Sequence, residues 1–311
     1  LRPPSVSIVL PTFNRLKYLR PAVQSIHAQT FTDWELIVAD DGSDGETAAY
    51  LASLVDPPKI RVISLPHSGN PGAVRNVGWQ AAQGEFIAFL DSDDLWLPQK
   101  LAKQVASLSA HPQRQWGHTA FATIDDSGSQ PRAWPAAQGW VLESLIKMEL
   151  VIAPASVIVK RRCLELLGGF DVRQRACEDY DLWLRLAAIS ELDGVAEELT
   201  LKRAQPDPFY TPAIVFEDRE RALKKMLSTN IEPSLHSVLC RERARVAAGL
   251  ARVHAICGGR KAALQTLLKS SAYSWGYAQW WLQGAEAAVR AAAPASFMRV
   301  ARFLMGRSRA S

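Results

Sequence analysis

Short apolar runs alternate with amphipathic stretches from residue 7 to residue 90. Ser7-Ile8-Val9-Leu10 is an apolar run closed by Pro11. The stretch after it spaces Leu19, Val23 and Ile26 along one helical face, with Pro21 read into the first turn, where a missing N–H is tolerated. Glu35 to Ala39 forms a second run, closed by the turn Asp40-Asp41-Gly42-Ser43. Ser43 and Glu46 have capping-box spacing, which predicts a helix starting at Ser43. A third strand over Ile60 to Ile63, a helix over roughly Ala73 to Ala82 and a fourth strand over Phe86 to Leu90 follow. Strands this apolar are buried on both faces, and intervening helices supply the crossovers of a parallel sheet. The pattern predicts a doubly wound α/β half-domain.

The middle of the chain is less regular. Residues 116–124 and 155–160 read as strands, 178–189 as a helix, and Val195 to Leu201 as a further short strand. Pro206, Pro208 and Pro212 mark a boundary, which predicts an α/β domain over 1–205 and a helical region over 206–311. Gly258-Gly259 splits a helix near 237–256 from one near 261–269.

Composition narrows the class. Apolar residues make up 48% and charged residues 22%, the balance of a folded protein. No run reaches the ~18 apolar residues of a membrane span and no leader pattern is visible, so the chain is read as soluble and cytoplasmic. Cys163, Cys177, Cys240 and Cys257 show neither C-x-x-C nor zinc-finger spacing and read as small buried apolar groups. The net charge of +5 is unevenly spread: residues 237–311 hold twelve Lys and Arg against two Asp and Glu. A large anionic partner would meet that region, while the carboxylates of the preceding part could hold a cation.

The acidic turns carry the candidate chemistry. Asp91 and Asp93, in Phe89-Leu90-Asp91-Ser92-Asp93-Asp94, lie two apart just beyond a buried strand, where extended backbone would aim both carboxylates to one side. Ligands of open α/β sheets bind at such carboxyl ends, and hard divalent cations prefer oxygen ligands. Spacing alone is equally compatible with an acidic turn that caps the next helix. The Asp41 turn fails as a calcium loop, because Gly42 and Leu51 stand at ligand positions. P-loop and Gly-x-Gly-x-x-Gly signatures are absent, so bound phosphates would need carboxylates acting through a metal.

Six segments in order resemble family 2 glycosyltransferases of the GT-A fold. They are Ser7-Ile-Val-Leu-Pro-Thr-Phe-Asn14, Val38-Ala-Asp-Asp-Gly-Ser43, Gly69-Asn-Pro-Gly-Ala-Val-Arg-Asn76, Phe89-Leu-Asp-Ser-Asp-Asp94, Gly168-Gly-Phe-Asp171 and Glu178-Asp-Tyr-Asp-Leu-Trp-Leu-Arg185. The resemblance spans roughly residues 5–203. It implies that Pro11, Thr12 and Asp41 hold the nucleotide base, usually uracil, and that Arg75 lies near base and diphosphate. It implies that Asp91 faces the ribose and Asp93 a Mn²⁺ or Mg²⁺ ion, and that Asp179, beside Glu178, is the catalytic base. The implied reaction moves a sugar from a nucleotide diphosphate donor to an acceptor hydroxyl, saccharide or lipid-linked, with inversion. One departure stands out: the family often reads Tyr-Arg-x-His where this chain has Lys202-Arg203-Ala204-Gln205.

A sugar-nucleotide pyrophosphorylase is the rival enzyme, but Pro11-Thr12-Phe13-Asn14 occupies the place of its glycine-rich loop. A non-catalytic anion-binding protein is the rival outside enzymes; no nucleic-acid motif supports it. His67, His111 and His118 fall in no ligand pattern; Trp275, Tyr277, Trp280 and Trp281 suit contact with a sugar or a membrane interface, and helix-packing core is the favoured reading of them. Phe297, Met298, Val300, Ala301, Leu304 and Met305 share one side of a predicted helix, with Arg299 and Arg302 opposite and Arg307 and Arg309 beyond. That amphipathic pattern predicts peripheral association with an anionic membrane.

Overall fold

The computed structural model describes residues 2–129, 132–203, 211–274 and 276–292. The chain divides into two compact units, Leu1–Asp207 and Pro208–Ser311. The first opens with β1 (Val6–Thr12), α1 (Leu16–His27), β2 (Trp34–Asp40), α2 (Gly45–Leu54), β3 (Ile60–Ser64), α3 (Pro71–Gln80) and β4 (Phe86–Phe89). It continues through β5 (Leu95–Trp96), α4 (Lys100–Ala110), β6 (Trp116–Ile124), β7 (Arg132–Trp134) and α5 (Leu142–Ile146). It closes with β8 (Val157–Lys160), α6 (Arg161–Leu167), α7 (Glu178–Ala187) and β9 (Leu192–Arg203).

Among the described residues the strands form one sheet in the order β3-β2-β1-β4-β8-β6-β9-β5, with β7 attached to β6. The four leading strands pair in parallel, as their unbroken apolar runs predict. Beyond β4 the sheet is mixed: β8 runs antiparallel to both β4 and β6, while β9 is parallel to β6 and antiparallel to β5. On one face Leu19, Ala22, Val23 and Ile26 of α1 join Val6, Ile8, Leu10, Leu36 and Val38 in a single buried cluster. On the other, α3 lies so close to β1 that a Cβ on Gly78 would meet Val9 Cγ1 at 2.4 Å. That close approach sets Arg75, one turn earlier on α3, at the carboxyl end of the sheet.

Local readings change in four places. Pro21 sits in the second turn of α1, because Arg15 C=O already accepts the N–H groups of Tyr18 and Leu19 and so starts the helix upstream. Ser43 does not cap α2; its Oγ accepts the N–H of Asn14 at 2.9 Å, and Asp44 takes the N-cap position. Asp91 and Asp93 are not on extended backbone: Asp94 N–H bonds Asp91 C=O at 3.0 Å, closing a tight turn. Cys163 and Cys177 are buried, but Cys257 is exposed, since the chain turns there through Gly258 at φ +85°.

The second unit contains α8 (Pro212–Leu227), α9 (Pro233–Ile256), α10 (Arg260–Ser274) and α11 (Ala278–Ala292). Ala244 and Ala248 of α9 pack with Trp280, Leu267 and Tyr277, and Trp280 Nε1 donates to Ser270 Oγ at 2.9 Å. Small residues on α9 thus admit one large aromatic, as the core reading predicts for Trp280, whereas Trp281, read the same way, is 44% exposed. Trp275 and the apolar and basic positions from Phe297 to Arg309 lie outside the described residues.

Candidate active site

Two chain crossings meet at the carboxyl ends of β1 and β2. Thr12 is in register with Asp40, and Asp41 N–H bonds Thr12 C=O at 2.9 Å. The Asp41 carboxylate accepts from Ser68 N (2.8 Å), Ser68 Oγ (2.8 Å) and Gly69 N (2.9 Å), and His67 Nδ1 lies 3.0 Å from it. One carboxylate therefore fastens the whole 67–69 loop. Gly42, at φ +85°, allows the loop to come that close, for a Cβ there would meet His67 N at 3.0 Å. His67 in turn stacks on Phe13, with ring centroids 3.9 Å apart. Thr12 Oγ1 is buried beside this platform without a hydrogen-bond partner among the described residues.

The second cluster gathers at the end of β4. Arg75 is buried and bridges two carboxylates, donating to Asp91 Oδ1 at 2.5 Å and to Glu178 Oε1 at 2.6 Å. Asp93 takes the guanidinium of Arg15 at 2.7 Å instead. Asp94 is buried; its Oδ1 accepts Arg203 N–H at 2.8 Å, while Oδ2 has no partner among the described residues. Asp179, in the first turn of α7, accepts the N–H of Tyr180 at 2.7 Å. The helix N-terminus favours carboxylates there, so Glu178, Asp179 and Asp181 are also good helix openers.

Crowding of these acids shapes their chemistry. Burial pushes the Asp94 carboxyl up to about 7, with Lys202 opposing and Asp91 and Asp93 adding to the rise. Burial, then the neighbouring Glu178 charge, likewise pushes Asp179 up to about 7, against the pull of Arg75. Asp93 is also raised, by burial and by Asp91. Asp91 goes the other way: burial opposes its charge, but Arg75 and then Lys202 hold it below the usual carboxylate range. Lys202 is held firmly protonated by Asp94, Asp91, Asp93 and Asp179, in that neighbourhood of four acids. Like charges packed this tightly call for a cation.

Of the predicted site residues, Asp91, Asp93, Arg75, Glu178 and Asp179 come together here, and Pro11, Thr12 and Asp41 come together at the neighbouring strand ends. Two details differ from the readings. Arg75 is committed to Asp91 and Glu178, and Asp41 has its oxygens occupied by the loop it holds. Sequence reasoning gave no site role to Asp94, Arg15, Lys202, Phe13 or His67. Asp94 and Lys202 were visible as a third acid in the turn and as the departure from the family pattern. Nothing in the local sequence marks Arg15, which meets Asp93 across 78 residues. A depression of about 550 Å³ lined by Glu85, Pro112, Lys160 and Arg161 lies at the opposite, amino end of β4 and holds none of these acids.

The sheet, with its acids at the strand ends, is the GT-A-like arrangement of sugar-nucleotide transferases, flanked by helices and followed by a helical region. Residues 7–151 match the model of glycosyl transferase family 2. A Haemophilus influenzae glycosyltransferase is 35% identical over 183 residues, covering 58% of this chain and 71% of that protein. The Escherichia coli UDP-Glc:alpha-D-GlcNAc-diphosphoundecaprenol beta-1,3-glucosyltransferase WfgD is 29% identical over 191 residues, 61% of this chain and 72% of WfgD. A Rickettsia felis glycosyltransferase is 28% identical, but the match spans only 33% of its length. Among solved structures, S. aureus TarS 1-349 in complex with UDP-GlcNAc shares the fold at TM-score 0.64 and 19% identity, over 93% of this chain and 82% of that one. The Pyrobaculum calidifontis mannosyltransferase PcManGT, in complex with GDP-Man and Mn²⁺, does so at TM-score 0.60 and 16% identity, over 94% and 86%. This chain belongs to glycosyl transferase family 2.

Proposed function

We propose that the 1–205 region transfers a hexosyl or N-acetylhexosaminyl group from a uridine diphosphate donor to an acceptor hydroxyl with inversion. The observation that carries this reading is the acid cluster at the end of β4, in which Asp179 is raised to about 7 beside the Asp91–Arg75–Glu178 bridge. A carboxyl near neutrality is matched to taking a proton from an acceptor hydroxyl. The deprotonated oxygen attacks the anomeric carbon as the bond to the diphosphate breaks, and a single displacement inverts configuration. Glu178, engaged by Arg75, keeps that arginine in place and raises Asp179.

The donor's base is assigned to the Thr12–Asp41 end. Thr12 Oγ1 is an unused buried hydrogen-bonding atom, and Phe13 with His67 offers a flat aromatic surface beside it. Asp91 and Asp93 would hold Mn²⁺ or Mg²⁺. No set of three acidic, His or Cys ligands occurs among the described residues, and two carboxylates suit an ion that completes its shell with donor phosphate oxygens. The buried Asp94 Oδ2, near Lys202 but without a hydrogen-bond partner among the described residues, and the raised Asp93 fit an added cation in the same place. When bound, such an ion acts as a Lewis acid toward the departing diphosphate.

WfgD, by its name, acts on a diphosphoundecaprenol acceptor, and TarS holds UDP-GlcNAc. WfgD's name supports a lipid-linked or saccharide acceptor, and to this the proposal adds cytoplasmic action with peripheral membrane association through the C-terminal region. No helix among the described residues is long and apolar enough to cross a membrane. A screen of labelled UDP-, GDP- and dTDP-sugars with Mn²⁺ tests the reading. Release of nucleoside diphosphate is expected from a UDP-sugar; pyrophosphate-dependent release of nucleoside triphosphate, or an untouched donor, would overturn it.

A further inference from the structure

In the helical unit, α10 and α11 both bury one face on α9: Ala263, Ser270 and Ser274 from the first, Trp280 and Ala287 from the second. Leu267 fits against Gly284 between them. Both helices therefore turn their remaining faces outward on the side away from α9. On α10 that face carries Lys261, Leu264, Gln265, Leu268 and Lys269. On α11 it carries Ala278, Leu282, Ala285 and Val289, spaced three or four apart, with Trp281 beside Leu282 and no charge among them. Leu268 is 74% exposed, Leu282 73% and Val289 66%. A solvent-facing helix normally carries charged and polar residues there.

The acid that borders this face is already paired. α10 contains no acidic residue, and the one acid of α11, Glu286, lies 3.3 Å from Arg252 of α9. Outside that ion pair, the charges flanking the apolar stripe among the described side chains are Lys261 and Lys269, with Arg260 at the start of α10. We infer that the outward face of α10 and α11 binds an anionic lipid surface. Charge decides among occupants. Two copies placed face to face would bring like charges together, whereas an anionic bilayer attracts the lysines and accepts the leucines and Trp281 at its interface. This locates in α10 and α11 the membrane association of the reading above, and it is independent of the transfer chemistry.

Co-sedimentation of the full chain with vesicles tests it. Binding is expected to phosphatidylcholine vesicles containing phosphatidylglycerol, not to phosphatidylcholine alone, and to weaken with salt. Lys261→Gln with Lys269→Gln should weaken binding about 30-fold, at roughly five-fold per lysine near a charged surface. Leu268→Ser with Leu282→Ser should weaken it at least ~10-fold. All four positions are exposed, so circular dichroism should show the fold retained. Phe297→Ser with Leu304→Ser, in the segment after α11, should leave most of the binding. The inference fails if the unaltered chain does not bind, or if only the 297 and 304 changes abolish binding. It also fails if Leu268→Ser with Leu282→Ser instead converts a dimer to a monomer. Donor cleavage on a soluble acceptor is read separately, so failure here leaves the transfer reading standing.

Discussion

Asp179→Asn removes a proton acceptor while keeping the size and hydrogen-bonding reach of the side chain. A positioned base is worth roughly 10²–10⁴-fold in rate, so kcat should fall by that factor while donor KM stays close to normal. The pH profile gives a second measure. Because burial and Glu178 raise the Asp179 carboxyl to about 7, the competent, deprotonated form should rise from about 3% near pH 5.5 to about 90% near pH 8, giving a ~30-fold climb in kcat/KM. Stability should move the other way. A carboxyl whose folded value lies above its unfolded value binds an extra proton in the folded state between about pH 4 and 7, so its ionisation opposes folding as pH rises. Asparagine escapes that penalty, and the variant should melt no lower than the parent at pH 8. Rates come from nucleoside diphosphate release across the pH series, melting from calorimetry. Near-normal turnover in Asp179→Asn, or a flat profile between those pH values, would refute the assignment; collapse only in Glu178→Gln would move the role to Glu178.

Three further outcomes are expected. Arg75→Met leaves Asp91 and Glu178 buried without their shared cation and should cost about 3–5 kcal/mol in urea unfolding; a change under about 1 kcal/mol would mean that water already solvates the bridge. Lys100 is fully buried with Nζ over the Trp96 ring and without a hydrogen-bond partner among the described residues, and burial holds its pKa well below the ordinary value. The unfolded chain then binds the extra proton up to about pH 10.4, so stability rises with pH across that window; Lys100→Met should erase the slope and add roughly 1–3 kcal/mol at neutral pH. EDTA should abolish transfer and Mn²⁺ or Mg²⁺ restore it, and Asp93→Ala should lower kcat by about 10²-fold or more; full activity in EDTA would remove the metal from the reaction.

The parallel half of the sheet was legible because β1, β2 and β4 are apolar on both faces, and a strand of that kind admits few other readings. The antiparallel half was not. β5 is two residues long, β7 is three, and β9 shifts register against β6 between Thr119 and Phe121, which blurs any alternation. Within the site, Asp91, Asp93 and Asp179 could be singled out because ordered motifs carry them. Arg75 stood in such a motif too, but its pairing with Asp91 and Glu178 follows from helix placement, and only the contact of Gly78 with Val9 shows how closely α3 lies; Arg15, just before α1, carried no signal. Ser43 misled because a hydroxyl at a turn can serve either the next helix or a distant strand end, and Asn14 was the nearer donor.

The pairing of β5 with β9 bears on how the molecule is made. Leu95 lies beside Leu201, and Arg203 N–H reaches back 109 residues to Asp94. A chain emerging from the ribosome can lay down β1 to β4 and their helices from nearby segments, contacts that form early and fast. The acid turn after β4 must then wait, with the buried seat of Asp94 unfinished, until β9 is synthesised and delivers Lys202 and Arg203 together. Nascent or prematurely terminated chains that stop before residue 203 would therefore hold the Thr12–Asp41 end of the site but not its finished acid cluster, which is completed only when the last strand of the sheet arrives.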